Sequence, residues 1–161
     1  MSVIALAGNP NCGKTTIFNA LTGSRHHVGN WAGVTVERRS GFFTLDGQDI
    51  EVVDLPGTYS LSAQSEDERI ASRYLSSPEP DLIVNVLDAS NLERNLYLTT
   101  QLLELRRPIV FVLNMMDDAE RQGVQIHLEA LQTLLGGPVI PTIGNRSEGV
   151  EELKRTILSV A

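Results

Sequence analysis

Short apolar runs alternate along the whole chain with longer stretches whose apolar positions recur every three or four residues. The runs are Val3 to Ala7, Ile50 to Val53, Leu82 to Leu87, Ile109 to Leu113 and a weaker Val139-Ile140, all of strand length. Helix-length patterns fill Lys14 to Leu21, Glu66 to Leu75, Asn91 to Leu105, His127 to Leu135 and Val150 to Val160. In the last of these, Val150, Leu153, Ile157 and Leu158 share one helical face, which predicts a closing helix packed on a sheet. Strands separated by helices make βαβ units, whose strands run parallel and are covered on both faces. One exception stands out. Glu37 to Leu45 and Gln48 to Asp54 flank Asp46-Gly47, a turn dipeptide that joins antiparallel strands. The pattern thus predicts an α/β fold: a mostly parallel six-stranded sheet with one antiparallel edge strand and helices on both faces. Thr22 to Thr35 is polar, punctuated by glycine and too long for one element, so it is read as a loop. With no internal repeat, low-complexity tract or linker, residues 1–161 read as a single domain.

Composition narrows the function classes. Lys and Arg number 13 against 20 Asp and Glu, giving a formal charge of −7. That balance argues against nucleic acid as a partner, because binding to phosphate backbones needs clustered cations. Cys12 is the only cysteine, so no intramolecular disulfide forms and a reducing compartment is expected. The longest apolar runs are interrupted by Asn85 and Asp88 or by Asn114 and Asp117, well short of the roughly 18 to 20 residues of a bilayer-crossing helix. The amino terminus is apolar but lacks the basic leading segment of a secretory signal. The expectation is a soluble chain of cytosolic character that is not itself inserted in a membrane.

Chemistry enters with Gly8-Asn9-Pro10-Asn11-Cys12-Gly13-Lys14-Thr15, which satisfies G-x-x-x-x-G-K-[ST] between an apolar strand and a helix, where the motif must stand. Glycines let backbone wrap closely around phosphate, and amides and dipole at the helix start favour the anion. Lys14 is assigned to the β- and γ-phosphates and Thr15 to Mg²⁺, with Thr16 beside it. A second motif, Asp54-Leu55-Pro56-Gly57, follows the strand Val52-Val53. There Asp54 would hold Mg²⁺ through a water and the Gly57 amide would sense the γ-phosphate; the bland alternative for Asp54 is a turn cap. Thr35 could supply a second hydroxyl to the metal. Asn114-Met115-Met116-Asp117 closes a further strand and chooses the base. A carboxylate there accepts from N1–H and the exocyclic amine of guanine, a donor pair that adenine lacks on that edge.

These motifs in this order resemble the small Ras-like GTPases, and more closely the amino-terminal G domain of the bacterial ferrous iron transport protein B family. The resemblance is carried by Gly8 to Thr16 with Phe18-Asn19 and Leu21-Thr22-Gly23, by Val28 to Glu37, by Asp54 to Leu61 and by Asp88 to Leu98. It implies a P-loop NTPase fold of the Ras-like G-domain type and a slow GTPase acting as the switch of a ferrous iron transporter. In that family the G domain lies on the cytoplasmic face of the inner membrane, ahead of a helical domain that restrains GDP release and a membrane-spanning domain. Both would be missing from these 161 residues.

The family is also similar to potassium-activated GTPases, which implies K⁺ held by Asn11 and by carbonyls of the segment from Gly29 to Trp31. That suits Thr58, which stands where Ras-like enzymes carry the glutamine that orients the attacking water. A monovalent cation would then supply positive charge, and groups near Thr35 and Gly57 would position the water, so turnover is expected to rise several-fold in K⁺. The remaining guanine loop maps to Pro141 to Ser147, with Ile143, Gly144 and Asn145 at the base. Met115 replaces the lysine of most Ras-like proteins and Gly144 replaces Ser or Ala, so GDP affinity is expected to be micromolar or weaker, with fast release. Three other readings were weighed. They are a GTP-gated binding module with incidental hydrolysis, a ribosome- or tRNA-associated GTPase, and an ATP-using enzyme, the last disfavoured by Asn114 and Asp117.

Several residues are given plain readings. His26 and His27 lack the partner spacing of a metal site. Glu66-Asp67-Glu68 suits the first turn of a helix better than catalysis. Cys12 is a small residue tolerated in the phosphate loop. Trp31 could lie over the nucleotide, meet a partner or pack on the sheet, and the sequence leaves that open.

Overall fold

The computed structural model describes all residues from Met1 to Ala161. Seven strands form one sheet: β1 Ser2–Gly8, β2 His26–Asn30, β3 Glu37–Leu45, β4 Gln48–Asp54, β5 Leu82–Asp88, β6 Ile109–Asn114 and β7 Val139–Pro141, in the order β2-β3-β4-β1-β5-β6-β7. β1 pairs in parallel with β4 and β5, β5 with β6, and β6 with β7. β3 runs antiparallel to β4, joined through Asp46 and Gly47, both at positive φ as a tight hairpin turn demands.

Six helices cover the sheet: α1 Lys14–Thr22, α2 Glu66–Ser76, α3 Leu92–Glu104, α4 Met116–Arg121, α5 Leu128–Leu135 and α6 Val150–Val160. Alternation along each central strand divides the core in two. Ile4 and Leu6 of β1 face Ile17, Phe18 and Leu21 of α1 and Leu153 and Ile157 of α6. Ala5 and Ala7 face the other way, toward a layer containing Leu75 of α2, Leu98 and Leu102 of α3, Ala119 of α4 and Leu131 of α5. A strand apolar at consecutive positions is the sequence counterpart of this double covering.

The mostly parallel α/β architecture agrees with the sequence pattern. Two details differ. The sheet has seven strands, because the segment read as a loop contains β2, which pairs antiparallel with β3 from His26↔Gly41 to Asn30↔Glu37. The antiparallel part therefore comprises two strands, and β2 is the edge. All five of its residues are exposed, so no buried face writes a period of two into the sequence. The pattern also gave no sign of α4, a six-residue helix with Asp117 and Asp118 in its first turn.

Strand order turns around at β1, with β4 on one side and β5 on the other. Open α/β sheets bind ligands at such a point, beyond the carboxyl ends of the strands. β1, β4 and β6 deliver Gly8, Asp54 and Asn114 to that edge.

Candidate functional site

The loop from β1 to α1 turns tightly, with the Cys12 amide donating to the Asn9 carbonyl at 3.3 Å and Asn11 and Gly13 both at positive φ. Gly13, at φ +88°, cannot be replaced: a Cβ there would collide with the Asn114 side-chain amide. Asn11 and Thr15 are exposed, Asn9 is buried, and the Asn9 Oδ1 has no hydrogen-bond partner. Cys12 is buried under the loop, and burial pushes its thiol up to about 11 against the opposing pull of Lys14. That is an unreactive thiol, in keeping with the plain reading of the residue.

Lys14 reaches back across the loop to Asp54, Nζ to Oδ1 at 2.5 Å, with both side chains less than a tenth exposed. The segment after Asp54 is stitched to the same edge. The Leu55 amide donates to the Leu6 carbonyl and the Thr58 amide to the Gly8 carbonyl, each at 3.1 Å. Gly57 lies so close to Pro10 that a Cβ would stand 3.1 Å from the proline Cα and N, a tight contact that a side chain here would form only by shifting one of the two motifs. Farther along, the Leu61 amide donates to Gln101 Oε1 at 2.6 Å, and Arg94 lies over the Tyr59 ring, tying this loop to α3.

Asn114 joins the phosphate loop to the base loop. Its Nδ2 donates to the Cys12 carbonyl at 3.2 Å, and its Oδ1 accepts from Thr142 Oγ1 and from the Gly144 amide, both at 2.9 Å. Beside it a cavity of about 170 Å³ is lined by Gly13, Thr16, Met115, Asp117, Ile143, Gly144 and Asn145, together with Asp118 and Arg121. The structure therefore brings together every residue that the sequence assigned to the base. Thr142 and Arg121 were missed. Thr142 lies inside the loop assigned to the base, but its buried hydroxyl bond to Asn114 was not foreseen, and Arg121 meets Asp117 only through a helix that the pattern did not announce.

The first-switch segment is arranged differently. β2 and β3 form a hairpin closed at its tip by the Trp31 amide donating to the Val36 carbonyl at 2.9 Å. Trp31 is buried against Tyr74 of α2, edge to face at 5.5 Å, and Arg38 lies over it at 4.7 Å. Packing on the sheet is one reading that the sequence leaves open for Trp31; the indole packs instead against a helix, on Tyr74 of α2, with Arg38 of β3 over it. The Trp31 Nε1 and the Tyr74 hydroxyl are both buried without a partner. Burial, with Glu79 adding to it, pushes the Tyr74 phenol up to about 12. Thr35 is exposed at the hairpin tip, and no hydrogen bond links Gly29, Asn30 or Trp31 to Asn11.

Two oxygen donors for Mg²⁺ belong to the phosphate edge: the Asp54 carboxylate, paired with Lys14, and the exposed Thr15 hydroxyl in the first turn of α1. A carboxylate with a hydroxyl and waters suits that ion. Of the donors suggested for K⁺, the Trp31 carbonyl is engaged within the hairpin tip, accepting from the Val34 amide at 3.2 Å. His26 and His27 point to opposite sides of their strand. One lies edge-on to Phe18 and the other 3.4 Å from Ser40 Oγ. Glu68 is used structurally, accepting from Ser62 Oγ, Ser60 Oγ and the Gln64 amide, while Ser65 caps α2 by accepting from the Glu68 amide. Those contacts hold the Glu68 carboxyl below its ordinary range.

With the geometry in place, comparison with known proteins decides the family. The sequence model described as ferrous iron transport protein B matches residues 2–157. The chain belongs to the ferrous iron transport protein B family. The Fe(2+) transporter FeoB of Escherichia coli is 58% identical over 158 residues, which is 96% of this chain and 20% of the relative. That of Salmonella typhimurium has the same identity and coverage. This chain thus spans about a fifth of the length of its curated relatives in the ferrous iron transport protein B family. Among solved structures, the cytosolic domain of Legionella (L. pneumophila) FeoB superposes with a TM-score of 0.96 at 51% identity, covering 99% of this chain and 64% of that one. The cytosolic domain of T. maritima FeoB in its GMPPNP form gives a TM-score of 0.96 at 46% identity, over 99% of this chain and 63% of that one. A mutant of S. thermophilus NFeoB bound to GDP gives 0.94 at 46% identity, over 100% and 63%. These likenesses establish the P-loop G-domain fold. No helix here is long and apolar enough to cross a membrane.

Proposed function

We propose that this chain is the guanine-nucleotide switch of a ferrous iron transporter: it binds GTP and GDP, hydrolyses GTP slowly, and does so faster in K⁺. The observation that carries the guanine reading is the Asn114 clasp, which fixes the Gly144 amide and the phosphate loop around a cavity that Asp117 lines. Asp117 would accept the N1–H and 2-amino donors; the Gly144 amide is engaged by Asn114, so the Asn145 amide at the same cavity is the one left to read O6. Gly8 to Thr16 cradle the phosphates. Lys14 would turn from Asp54 to the β- and γ-phosphates and Asp54 with Thr15 would hold Mg²⁺, so that charge stays balanced as the buried ion pair is exchanged.

Hydrolysis places a water in line with the γ-phosphorus, forming its bond as the bond to the β–γ bridging oxygen breaks and that oxygen takes up the charge. Mg²⁺, which Thr15 and Asp54 would hold, and K⁺, which Asn11 would hold, would supply positive charge to the phosphate oxygens. The Gly57 amide, held close to Pro10 of the phosphate loop, would sense a γ-phosphate oxygen, and Lys14 would neutralise the charge developing there. Thr58 is 5% exposed and anchored through its amide to Gly8, so its side chain orients no water, which supports slow turnover. Engagement of the metals by Thr35 and by the carbonyls of Gly29 and Trp31 would draw the hairpin tip from its rest against Tyr74 of α2 toward Asn11. This movement converts nucleotide state into shape.

In the parent protein the switch would lie at the cytoplasmic face of the inner membrane, coupled to a helical domain restraining GDP release and to the membrane domain. Calorimetry with GDP and a non-hydrolysable GTP analogue tests the reading, with Asp117→Asn expected to shift preference from guanine to xanthine. Equal turnover in K⁺ and Na⁺ would overturn the potassium part, and Asn11→Ala is expected to remove the K⁺ effect while GDP binding persists.

A further inference from the structure

Arg121 stands one helical turn after Asp117 and Asp118 on α4, and this spacing brings its guanidinium to both carboxylates. It hydrogen-bonds Asp118 Oδ1 and lies 3.9 Å from Asp117 Oδ2. All three side chains line the base cavity. Asp117 is the more enclosed carboxylate, 19% exposed against 39% for Asp118.

A guanidinium carries parallel N–H donors matched to a carboxylate. Guanine offers the same pair of donors from N1 and its 2-amino group. Asp117 thus has two chemically equivalent claimants, one in the ligand and one built into its own helix. Resting on the guanine reading above, we propose that Arg121 is an internal competitor for the base-reading carboxylate, parked on Asp118 while guanine holds Asp117 and turning to Asp117 as the base leaves.

The consequence is a direction for each side chain. Arg121 speeds release, because the carboxylate that the base vacates is never left without a donor. Asp118 opposes it by holding the guanidinium aside. Arg121 acts through Asp117 and is a positioning residue, not a contact to the nucleotide. The device sits entirely on α4, so it works without any movement of the first-switch hairpin.

The test is stopped-flow release of a fluorescent GDP analogue from the chain, at low and high salt, with substitutions at both positions. Arg121→Ala is expected to slow release roughly two- to fivefold, the range open to an exposed charge pair. Asp118→Asn is expected to speed release, and the double substitution to behave like Arg121→Ala, since Asp118 acts only through Arg121. Arg121→Lys, which keeps the charge and loses the fork, falls between unsubstituted and Arg121→Ala chains. Salt shrinks the differences. Unchanged or faster release in Arg121→Ala overturns the proposal, as does a double substitution whose two effects simply add. A chain that binds no guanine nucleotide at all overturns instead the guanine reading, a failure visible before any substitution is made.

Discussion

The base end and the first-switch end of the site are built in opposite ways. At the base end, three hydrogen bonds from one buried side chain, Asn114, hold two loops at the spacing that a ligand would need. At the other end, β2 is held by a single ladder to β3, and Trp31 rests in a cleft where its own N–H and the neighbouring Tyr74 hydroxyl go unsatisfied. An unpaired buried donor costs on the order of 1–3 kcal/mol, so the resting place of the hairpin is stabilised by apolar and aromatic contact and opposed by polar desolvation. The difference separates two tasks. Recognition of a base needs preorganised donors and acceptors, whereas a switch needs a segment whose alternatives lie within a few kcal/mol of each other.

Substitutions can break this contrast. The largest effect is expected from Lys14→Ala, which removes the phosphate contact and leaves Asp54 buried and unpaired. Nucleotide binding should be lost, and urea unfolding should show a destabilisation of about 3 kcal/mol. Asn114→Ala comes next. It orphans the Gly144 amide and the Cys12 carbonyl together, so about 2 kcal/mol of stability and at least tenfold in GDP affinity should go, measured by unfolding and calorimetry on the same samples.

Cys12 gives a chemical readout of the phosphate end. Its folded pKa near 11 lies above the ordinary value of 9.0, so the folded state favours the protonated thiol. That contribution to stability is complete below about pH 9 and is lost as pH rises toward 11. A thiol reagent at pH 8 should therefore modify the folded chain slowly and the urea-unfolded chain rapidly. The smallest effect is expected at Tyr74→Phe, which deletes an orphaned hydroxyl and should leave stability unchanged or raise it by up to about 1 kcal/mol. Because Trp31 is the only tryptophan, its emission follows the hairpin. A GTP analogue with Mg²⁺ should shift that emission to the red, and Tyr74→Phe, by favouring the resting cleft, should reduce the shift.

What could be read from the sequence follows from what leaves a local mark. The central strands were legible because burial on both faces makes consecutive residues apolar, as in Leu82 to Leu87. The phosphate loop was legible because its chemistry fixes residue types at fixed spacing. β2 was not, since an exposed edge strand is held by backbone bonds that any sequence can form. Trp31 was ambiguous for a related reason: an aromatic residue on a loop carries no information about which distant helix it will meet, and here that helix begins 35 residues later. Thr142 and Arg121 joined the site through one buried hydrogen bond and one short helix, neither of which a motif encodes.

The sequence by itself determined the sheet's parallel core, the order of the nucleotide motifs and the place of the carboxylate proposed to read the base, because periodicity and spacing are properties of neighbouring residues. Only the tertiary structure decided that Lys14 and Asp54 neutralise one another, that Asn114 ties the phosphate loop to the base loop, and that Trp31 is stowed under Arg38 against Tyr74. Those contacts join residues 40, 102 and 43 positions apart or, for Arg38, a strand residue and the tip of its own hairpin closing on a helix, so their energy depends on how the layers pack and not on any local pattern.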